Sequence, residues 1–417
     1  MIKKGKYFFF GGGANCYSTL AFWGSENIKA IVDSDITKIG QKIHNVPIID
    51  VEELRRCWNG EWVIVTAYVK AKEITKLLKQ IGITKYCISK PMMSGFMTVE
   101  QMIKEWDLLG YKEICFRGDE VIRQRIYEVI GKEAPSIRLV KPEEAVSNDE
   151  TTVIISMERE DVRVNGIKSK IIYFEEAMER FFQNKYRAVR KYKGIHQNQK
   201  CLLIGNGPSL RISDLEMIKN RNIVTFGCNR INLLYEQTEW RPDYYVAIDP
   251  YIMDENREKM EQFDMPCFVQ DVFGMSPFRN EHIILFRKII EDYLPGYPSF
   301  SSDMSKCTYG GGATVMYNML QIAVYMGFKE IYLLGVDFSY GEDGENTHFY
   351  IMEQDDIRTK GEGVLAKDLT RRCYISAKNY CESNNIKIYN ATRGGNLDIF
   401  ERKSFDELIK ELPIKDK

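Results

Sequence analysis

Residues 201–210 read CLLIGNGPSL, an apolar run that passes directly into a loop containing two glycines. A short apolar run bounded by glycine is typical of a strand buried on both faces of a parallel sheet. Gly205 and Gly207 let the backbone turn tightly and expose N–H groups, which can bind a phosphate. Asn206 offers an amide that both donates and accepts, and Ser209 can donate to a phosphate or cap the following helix. The stretch therefore predicts a strand and ligand loop of a Rossmann-like sheet.

Polar groups also follow other strands in this part of the chain. Apolar strand patterns recur at residues 223–226, 244–249 and 330–337. Asn229 comes just after the first, while Asp249 and Asp337 end the other two. The carboxyl ends of parallel strands meet at one edge of the sheet, where open α/β sheets bind their ligands. We expect a nucleotide at this edge, with further donors from the loop before a predicted helix at 315–326, namely Gly311, Gly312 and Thr314.

The rest of the chain repeats the alternation of strands and helices. It predicts an α/β fold of Rossmann-like parallel sheets with helices on both faces, in two to three domains. The predicted parts are an N-terminal Rossmann-like domain at 1–100, a small α/β block at 101–183, a basic linker at 184–200 and a C-terminal nucleotide-binding catalytic domain at 201–417. The small block either completes the first sheet or forms its own. The linker is interpreted as a solvated helix, with a surface for anionic lipid or glycan as the alternative.

The N-terminal domain carries a second glycine-rich loop after its first predicted strand. Gly11 and Gly13 can meet the first two requirements of a dinucleotide fingerprint, although Cys16 stands where the third glycine would be. Asp33 ends the next strand pattern, where an acid can bind a ribose hydroxyl. These residues suggest a second nucleotide site, Gly11, Gly13 and Asp33. The alternative is a glycine turn that binds nothing.

Composition narrows the class of protein. The 417 residues include 58 Lys and Arg against 59 Asp and Glu, which excludes a strongly basic nucleic-acid-binding protein. No apolar stretch reaches the length of a membrane span. Ten scattered cysteines without a CxxC pair, in a chain with no export signal, predict reduced thiols and a cytoplasmic location. Peripheral contact with the inner face of a membrane stays open, and we expect a homo-oligomer.

Two resemblances to known families add to this interpretation. Residues 204–210, the pair Cys228-Asn229, residues 327–338 (GFKEIYLLGVDF) and residues 346–350 (NTHFY) resemble one superfamily. It joins the 6-hydroxymethylpterin diphosphokinase-like proteins to the bacterial sialyltransferases of glycosyltransferase family 42. Residues 33–40 and 46–50 resemble the N-terminal Rossmann-like domain of bacterial sugar N-acyltransferases.

The first resemblance implies a sheet that binds a nucleotide, often a cytidine nucleotide carrying a nonulosonic acid. In the sialyltransferases, asparagines that match Asn206 and Asn229 contact the nucleotide. Glycines and Thr314 replace the usual Thr-Ser-Gly of the loop before the long helix, so this chain departs from the pattern there. Members of this kind are common in the synthesis of cell-surface polysaccharides.

Candidate groups for the chemistry lie beyond the strand that ends at Asp337. His348 is the candidate general base, because an imidazole titrates near neutral pH. Tyr340 and Tyr350 could donate to a leaving phosphate. Asp337 and Asp249 could hold magnesium, although Asp337 could equally cap a helix or loop, and no His/Cys cluster suggests zinc.

These residues predict a glycosyltransferase that moves a sugar from a nucleotide to a glycan acceptor. The resemblance to the sialyltransferases implies that the donor is a CMP-linked nonulosonic acid. Two alternatives stay open. One is a 6-hydroxymethylpterin diphosphokinase-like transfer of pyrophosphate from ATP, which needs magnesium. The other is a non-catalytic nucleotide-binding scaffold.

Overall fold

The chain divides into two compact units in a computed structural model. The units are Met1–Lys185 and Tyr186–Lys417. The structure describes residues 4–67, 70–89, 98–157, 168–272, 278–290, 296–310, 314–339, 347–350 and 363–415. Among these residues, none of the helices has both the length and the apolar character needed to cross a bilayer.

The first unit contains two separate parallel sheets. Its strands are β1 (Tyr7–Phe10), β2 (Ile28–Val32), β3 (Lys42–Ile43), β4 (Val46–Ile49), β5 (Trp62–Val65), β6 (Tyr86–Ile88), β7 (Glu113–Arg117), β8 (Arg138–Val140), β9 (Thr152–Ser156) and β10 (Lys170–Tyr173). Its α-helices are α1 (Ala14–Trp23), α2 (Val51–Cys57), α3 (Ala71–Gln80), α4 (Val99–Glu105), α5 (Glu120–Glu133) and α6 (Phe174–Lys185).

The strand order answers a question that the sequence left open. The first sheet runs β3-β4-β2-β1-β5-β6, and only β3 pairs antiparallel, with β4. Strands β10-β9-β7-β8 form a sheet of their own, so the block at 101–183 does not extend the first sheet. The apolar run of β1 is buried along its whole length, as a central parallel strand requires. Asp119 caps α5 by accepting from the N–H groups of Val121 and Ile122, as its position predicts.

The second unit is built on one large parallel sheet. Its strands are β11 (Lys200–Ile204), β12 (Val224–Cys228), β13 (Tyr244–Ala247), β14 (Cys267–Gln270), β15 (Ile283–Phe286), β16 (Lys288–Ile290), β17 (Thr308–Gly310), β18 (Glu330–Leu334), β19 (Lys387–Asn390) and β20 (Glu401–Arg402). Its α-helices are α7 (Ile212–Lys219), α8 (Pro250–Glu255), α9 (Arg257–Met260), α10 (Val315–Met326), α11 (Gly363–Ser383) and α12 (Phe405–Glu411). The main sheet has the order β15-β14-β13-β12-β11-β18-β19-β20, and β16 pairs with β17 apart from it.

Helix α10 connects the carboxyl edge of this sheet to its amino edge. Its C-terminal end lies beside the start of β11, because Asn198 N–H donates to the carbonyl of Gly327 at 3.0 Å. At a rise of 1.5 Å per residue the helix spans about 18 Å, so its first turn lies toward the opposite edge. Thr314 caps that first turn through its hydroxyl, which accepts from Met316 N–H at 3.2 Å. The helix therefore begins where the strands end.

The predicted linker is partly built into the core of the second unit. Residues Arg187–Tyr192 form a 3₁₀-helix, and Tyr186, Val189 and Tyr192 are buried. The Tyr186 hydroxyl donates to Asp271 at 2.8 Å. Apolar or aromatic residues at every third position share one face of a 3₁₀-helix, and that face packs inward. The basic residues of the segment are exposed, as in a solvated helix, and they alternate with the buried residues of the inward face. A surface for anionic lipid or glycan stays the alternative.

The α/β fold with Rossmann-like parallel sheets is confirmed. The strands predicted at 201–204 and 244–249 and the helix predicted at 315–326 appear as β11, β13 and α10. Strand β18 ends at Leu334, three residues before the predicted end at Asp337, because Gly335 adopts a positive φ of 66° and leaves the ladder. The domain boundaries drawn from the sequence stay predictions.

Candidate functional site

The strand order of the second unit defines a crevice at its carboxyl edge. Strand β11 lies between β12 and β18. The chain proceeds from β11 to β12 on one side and returns much later to β18 on the other. Such a reversal of direction separates the loops that follow two neighbouring strands, and ligands of open α/β sheets bind there. In this chain the two loops are residues 205–209 and residues 335–337.

These two loops touch so closely that glycine is required. Gly207 N–H donates to the carbonyl of Gly335 at 2.8 Å. A Cβ atom on Gly207 would lie 1.9 Å from Asp337 Oδ2, and one on Gly205 would lie 2.5 Å from the carbonyl oxygen of Gly335. Gly205 and Gly207, which the sequence suggested for phosphate binding, therefore allow the two loops to pack together.

A buried carboxylate joins the loops. Asp337 Oδ2 accepts from the Ser209 hydroxyl at 2.8 Å and from Ser209 N–H at 3.3 Å. Burial raises the pKa of Asp337 above its ordinary value, and the hydrogen bonds from Ser209 oppose that rise. Helix α7 takes Arg211 as its N-cap, so the interpretation of Ser209 as a helix cap is wrong. The Ser209 hydroxyl instead fixes the loop to Asp337.

Two asparagine amides at this edge contain buried acceptors for which the described part of the chain supplies no donor. The Asn206 amide donates to the carbonyl of Cys228 at 3.1 Å, which places it beside Asn229. Within the described residues, neither Oδ1 of Asn206 nor Oδ1 of Asn229 accepts a hydrogen bond. An unsatisfied buried acceptor costs about 1–3 kcal/mol. Asn229 also adopts a left-handed φ of 48°, a second local cost at the same residue.

The segment that carries the candidate base contacts both asparagine loops. Phe349 N–H donates to the carbonyl of Asn206 at 2.9 Å. The Arg230 guanidinium lies 5.3 Å from the ring centroid of Tyr350, whose ring lies 4.9 Å from that of His348. Nδ1 of His348 is 2.8 Å from the Thr347 hydroxyl. If that nitrogen carries the proton, Nε2 is the basic atom of the ring.

Two other predicted residues act as helix caps at the same edge. Asp249 Oδ1 accepts from Ile252 N–H at 3.4 Å at the start of α8, and Thr314 caps α10. Tyr340, Gly311 and Gly312 lie outside the described residues. In the described part of the chain, no three His, Cys, Asp or Glu side chains form a group that could hold a metal. Magnesium at Asp337 and Asp249 stays a prediction.

Two polar residues at this edge were not selected from the sequence. Gln270 ends β14 and is buried, and Lys288 begins β16. A signal for each is visible in retrospect. Gln270 closes the apolar run of residues 267–269, and Lys288 interrupts the apolar pattern of residues 283–290.

The N-terminal glycine loop is organised differently. Gly12 N–H donates to Asp33 Oδ2 at 2.8 Å, and Asp35 N–H donates to Asp33 Oδ1 at 3.0 Å. The Lys38 ammonium lies 3.6 Å from the same carboxylate. Gly11 adopts a φ of 111°, which a residue with a side chain rarely takes up. Asp33 thus stabilises its own loop, while the second nucleotide site at Gly11, Gly13 and Asp33 stays a prediction.

One comparison with known proteins bears on this site. Residues 175–343 match the family model described as 6-hydroxymethylpterin diphosphokinase MptE-like. The matched stretch contains the loop at Gly205, both asparagines and Asp337, and it ends before His348. No curated protein and no solved structure matches the chain. The match supports the pterin diphosphokinase-like part of the resemblance, while the sialyltransferase and N-acyltransferase parts stay predictions.

Proposed function

We propose that the crevice binds the nucleotide of an activated sugar and that the chain transfers the sugar to a glycan acceptor. The unpartnered amide oxygens of Asn206 and Asn229 carry this proposal. An acceptor needs a donor, and a phosphate at neutral pH has almost none to give. Ribose hydroxyls and base amino groups do carry such donors. The amides are therefore suited to the nucleoside part of a ligand.

The choice of a cytidine nucleotide rests on the resemblance to the sialyltransferases. The exocyclic amine of cytosine is a donor that an asparagine oxygen can accept. In the transfer we propose, the acceptor hydroxyl attacks the anomeric carbon and its proton passes to His348. The bond from that carbon to the phosphate oxygen breaks, and its electron pair leaves with CMP. Tyr350 and Tyr340 would donate hydrogen bonds to the departing phosphate.

The contacts of His348 support its role as the base. Phe349 and Tyr350 attach its segment to Asn206 and Arg230, so the imidazole is held beside the proposed nucleotide. Positioning of this kind lowers the entropic cost of bringing the base to the acceptor. Asp337 then has a positioning role, because it connects the two loops that form the floor of the crevice.

Calorimetry with CMP, CDP, UDP and GDP tests the binding step. A cytidine nucleotide should bind, and failure of both CMP and CDP would contradict the proposal. His348→Ala should abolish transfer from a CMP-sugar and leave CMP affinity within about twofold. His282→Ala is the matched control, because His282 precedes β15 at the amino edge of the sheet. Turnover by His348→Ala at the wild-type rate would exclude His348 as the base.

The family match favours one second candidate. Because residues 175–343 match that family model, the second candidate is the transfer of pyrophosphate from ATP to the hydroxymethyl group of a pterin. AMP release that requires both magnesium and a pterin alcohol would favour this reaction over sugar transfer. Tight nucleotide binding without turnover in either assay would favour a non-catalytic scaffold.

A further inference from the structure

Lys288 occupies an unusual place at the carboxyl edge of the large sheet. It opens β16, which pairs in parallel with β17, and its register partner is Thr308. Its aliphatic chain lies along Gly310, where an added Cβ would be 2.9 Å from Lys288 Cδ. Gly310 precedes, by a few residues, the capped first turn of α10. Lys288 is thus held at the end of the sheet where α10 begins.

Lys288 is partly buried, and the protein around its ammonium reduces the hydration of the charge. Removal of water lowers the pKa of Lys288 to about 8, and the negative charge of Asp249 opposes this decrease. Asp249 is the charged group that acts on Lys288 in the described part of the chain. There the ammonium makes neither a hydrogen bond nor an ion pair. A charged group removed from water without a partner is costly, and such groups are concentrated at functional sites.

An amide oxygen without a partner among the described residues faces the same region. Gln270 is 7% exposed, and its Oε1 accepts no hydrogen bond within the described residues. It lies two positions after Phe268, whose side chain belongs to the core that contains α10. Because the side chains of a strand alternate between the two faces of the sheet, Gln270 lies on the face that packs against α10. Its strand β14 lies between β13, which leads to Asp249, and β15, which leads to Lys288.

The distance from the asparagines is suited to one bound molecule. Asn229 follows β12 and Gln270 ends β14, two strands away in the sheet. Neighbouring strands are 4.7–4.9 Å apart, so the separation is about 10 Å. A nucleotide can span this distance from its base to its phosphate. Among the described residues, the asparagine end has acceptors without a donor, and the other end has a cation without a hydrogen-bond or ion-pair partner.

We propose that Lys288 binds the phosphate of the nucleotide in the crevice and that Gln270 Oε1 accepts from a hydroxyl group of the same bound molecule next to that phosphate. The inference rests on the proposed function, since it assigns the opposite end of the same ligand. An ammonium has three N–H donors and a full positive charge, which a phosphate accepts well. In the transfer reaction the same contact would stabilise the charge that develops on the departing phosphate.

Calorimetry with CMP and with cytidine, which lacks the phosphate, tests the assignment. Lys288→Met should weaken CMP binding by about tenfold or more, the size of one charge-assisted hydrogen bond, and leave cytidine affinity within about twofold. Lys259→Met is the matched control, because Lys259 is an exposed lysine of α9 in the same unit. Equal effects on CMP and cytidine, or no effect on CMP, would overturn the proposal.

The pH dependence supplies a second readout. A phosphate monoester is doubly ionised above its pKa of about 6, so its charge changes little between pH 7 and 9. Wild-type affinity for CMP should fall as the pH rises past 8, where free Lys288 loses its proton. Lys288→Met should show a flat profile. NMR of the lysine Cε carbon should show the pKa of Lys288 rising when CMP binds and staying constant with cytidine; a constant pKa with CMP would contradict the contact.

The two proposals fail in distinguishable ways. If the wild-type chain binds AMP, UMP or GMP instead of CMP, the choice of cytidine is wrong. The assignment of Lys288 to the phosphate then stands only if Lys288→Met weakens the binding of that nucleotide and leaves the binding of its nucleoside unchanged. If the chain binds CMP but Lys288→Met binds it equally well, only the lysine assignment is lost. If no nucleotide binds, both proposals are wrong.

Discussion

The two glycine loops of this chain follow central strands of two parallel sheets, yet they treat their polar groups in opposite ways. In the first unit, Asp33 accepts from Gly12 and Asp35, so the carboxylate is satisfied within its own loop. In the second unit, Asp337 accepts from Ser209, while the amide oxygens of Asn206 and Asn229 have no donor among the described residues. The difference teaches that the shape of a glycine loop alone does not indicate a ligand site. What distinguishes the second loop is its polar atoms without a hydrogen-bond partner among the described residues.

The largest effect should come from filling the contact between the loops of the second unit. In Gly207→Ala, the new methyl group would overlap Asp337 Oδ2, which lies 1.9 Å from the Cβ position. Overpacking of this kind costs about 1–3 kcal/mol, and the displaced loop should lose nucleotide binding. Thermal unfolding and calorimetry measure the two effects.

Gly13→Ala provides the matched control in the other loop. No atom lies within 4 Å of a Cβ at Gly13, and its φ of -90° suits alanine. We expect Gly13→Ala to unfold within a few degrees of the wild type and to bind the crevice ligand normally. Equal destabilisation by the two substitutions would contradict the contrast between the loops.

A smaller effect should follow removal of one unpartnered amide. Asn229→Gly deletes the side chain and tolerates the positive φ of this position. Loss of one hydrogen bond to the ligand should weaken nucleotide binding by about tenfold, which corresponds to about 1.4 kcal/mol of binding free energy. Calorimetry with CMP measures this change. An affinity equal to that of the wild type would show that the amide oxygen does not meet the ligand.

Asp33→Ala should act mainly on stability. It removes the acceptor of two backbone N–H groups and one of the two carboxylates that Lys38 contacts, so the first unit should lose about 1–2 kcal/mol in its free energy of unfolding. Denaturant unfolding measures this loss, and affinity for CMP at the crevice should stay constant. A second nucleotide bound at this loop would also lose affinity, and calorimetry would detect that as a change in stoichiometry.

The smallest effect concerns the pH dependence of stability. Because burial raises the pKa of Asp337, the folded chain holds this proton more tightly than the unfolded chain. This contribution to stability is present below the ordinary aspartate pKa and is lost as the pH rises through the raised value. Asp337→Asn should remove this part of the slope. An identical slope in wild type and Asp337→Asn, from denaturant unfolding at several pH values, would contradict the raised pKa.

Local patterns predicted much of the fold because they report local burial. The apolar runs of β11 and β18 and the largely apolar helix α10 are visible in the sequence. Other features depend on partners far away in the chain. Ser209 and Asp337 are separated by 128 positions, so no local pattern could assign the serine hydroxyl to that carboxylate.

Other parts of the site could not be predicted from local sequence for the same reason. Asn318 lies in the apolar helix α10, yet it is fully buried and donates to Thr308 to hold β17 in place. The short strands β16 and β17 pair with each other across intervening residues, so Lys288 does not stand out as a site residue until that pairing is known. The candidate base could be selected from its position, but its attachment to Asn206 through Phe349 appears only in the fold.

Calorimetric titration of the whole chain with CMP and cytidine, for the wild type and for Asn229→Gly, tests the central claim most directly. We expect CMP to bind the wild type at the crevice. Asn229→Gly should lower the affinity for CMP and the affinity for cytidine by the same factor, because the amide contacts the nucleoside part of both ligands. Absence of CMP binding to the wild type, or unchanged binding of both ligands to Asn229→Gly, would contradict a nucleotide site built on the unpartnered asparagines.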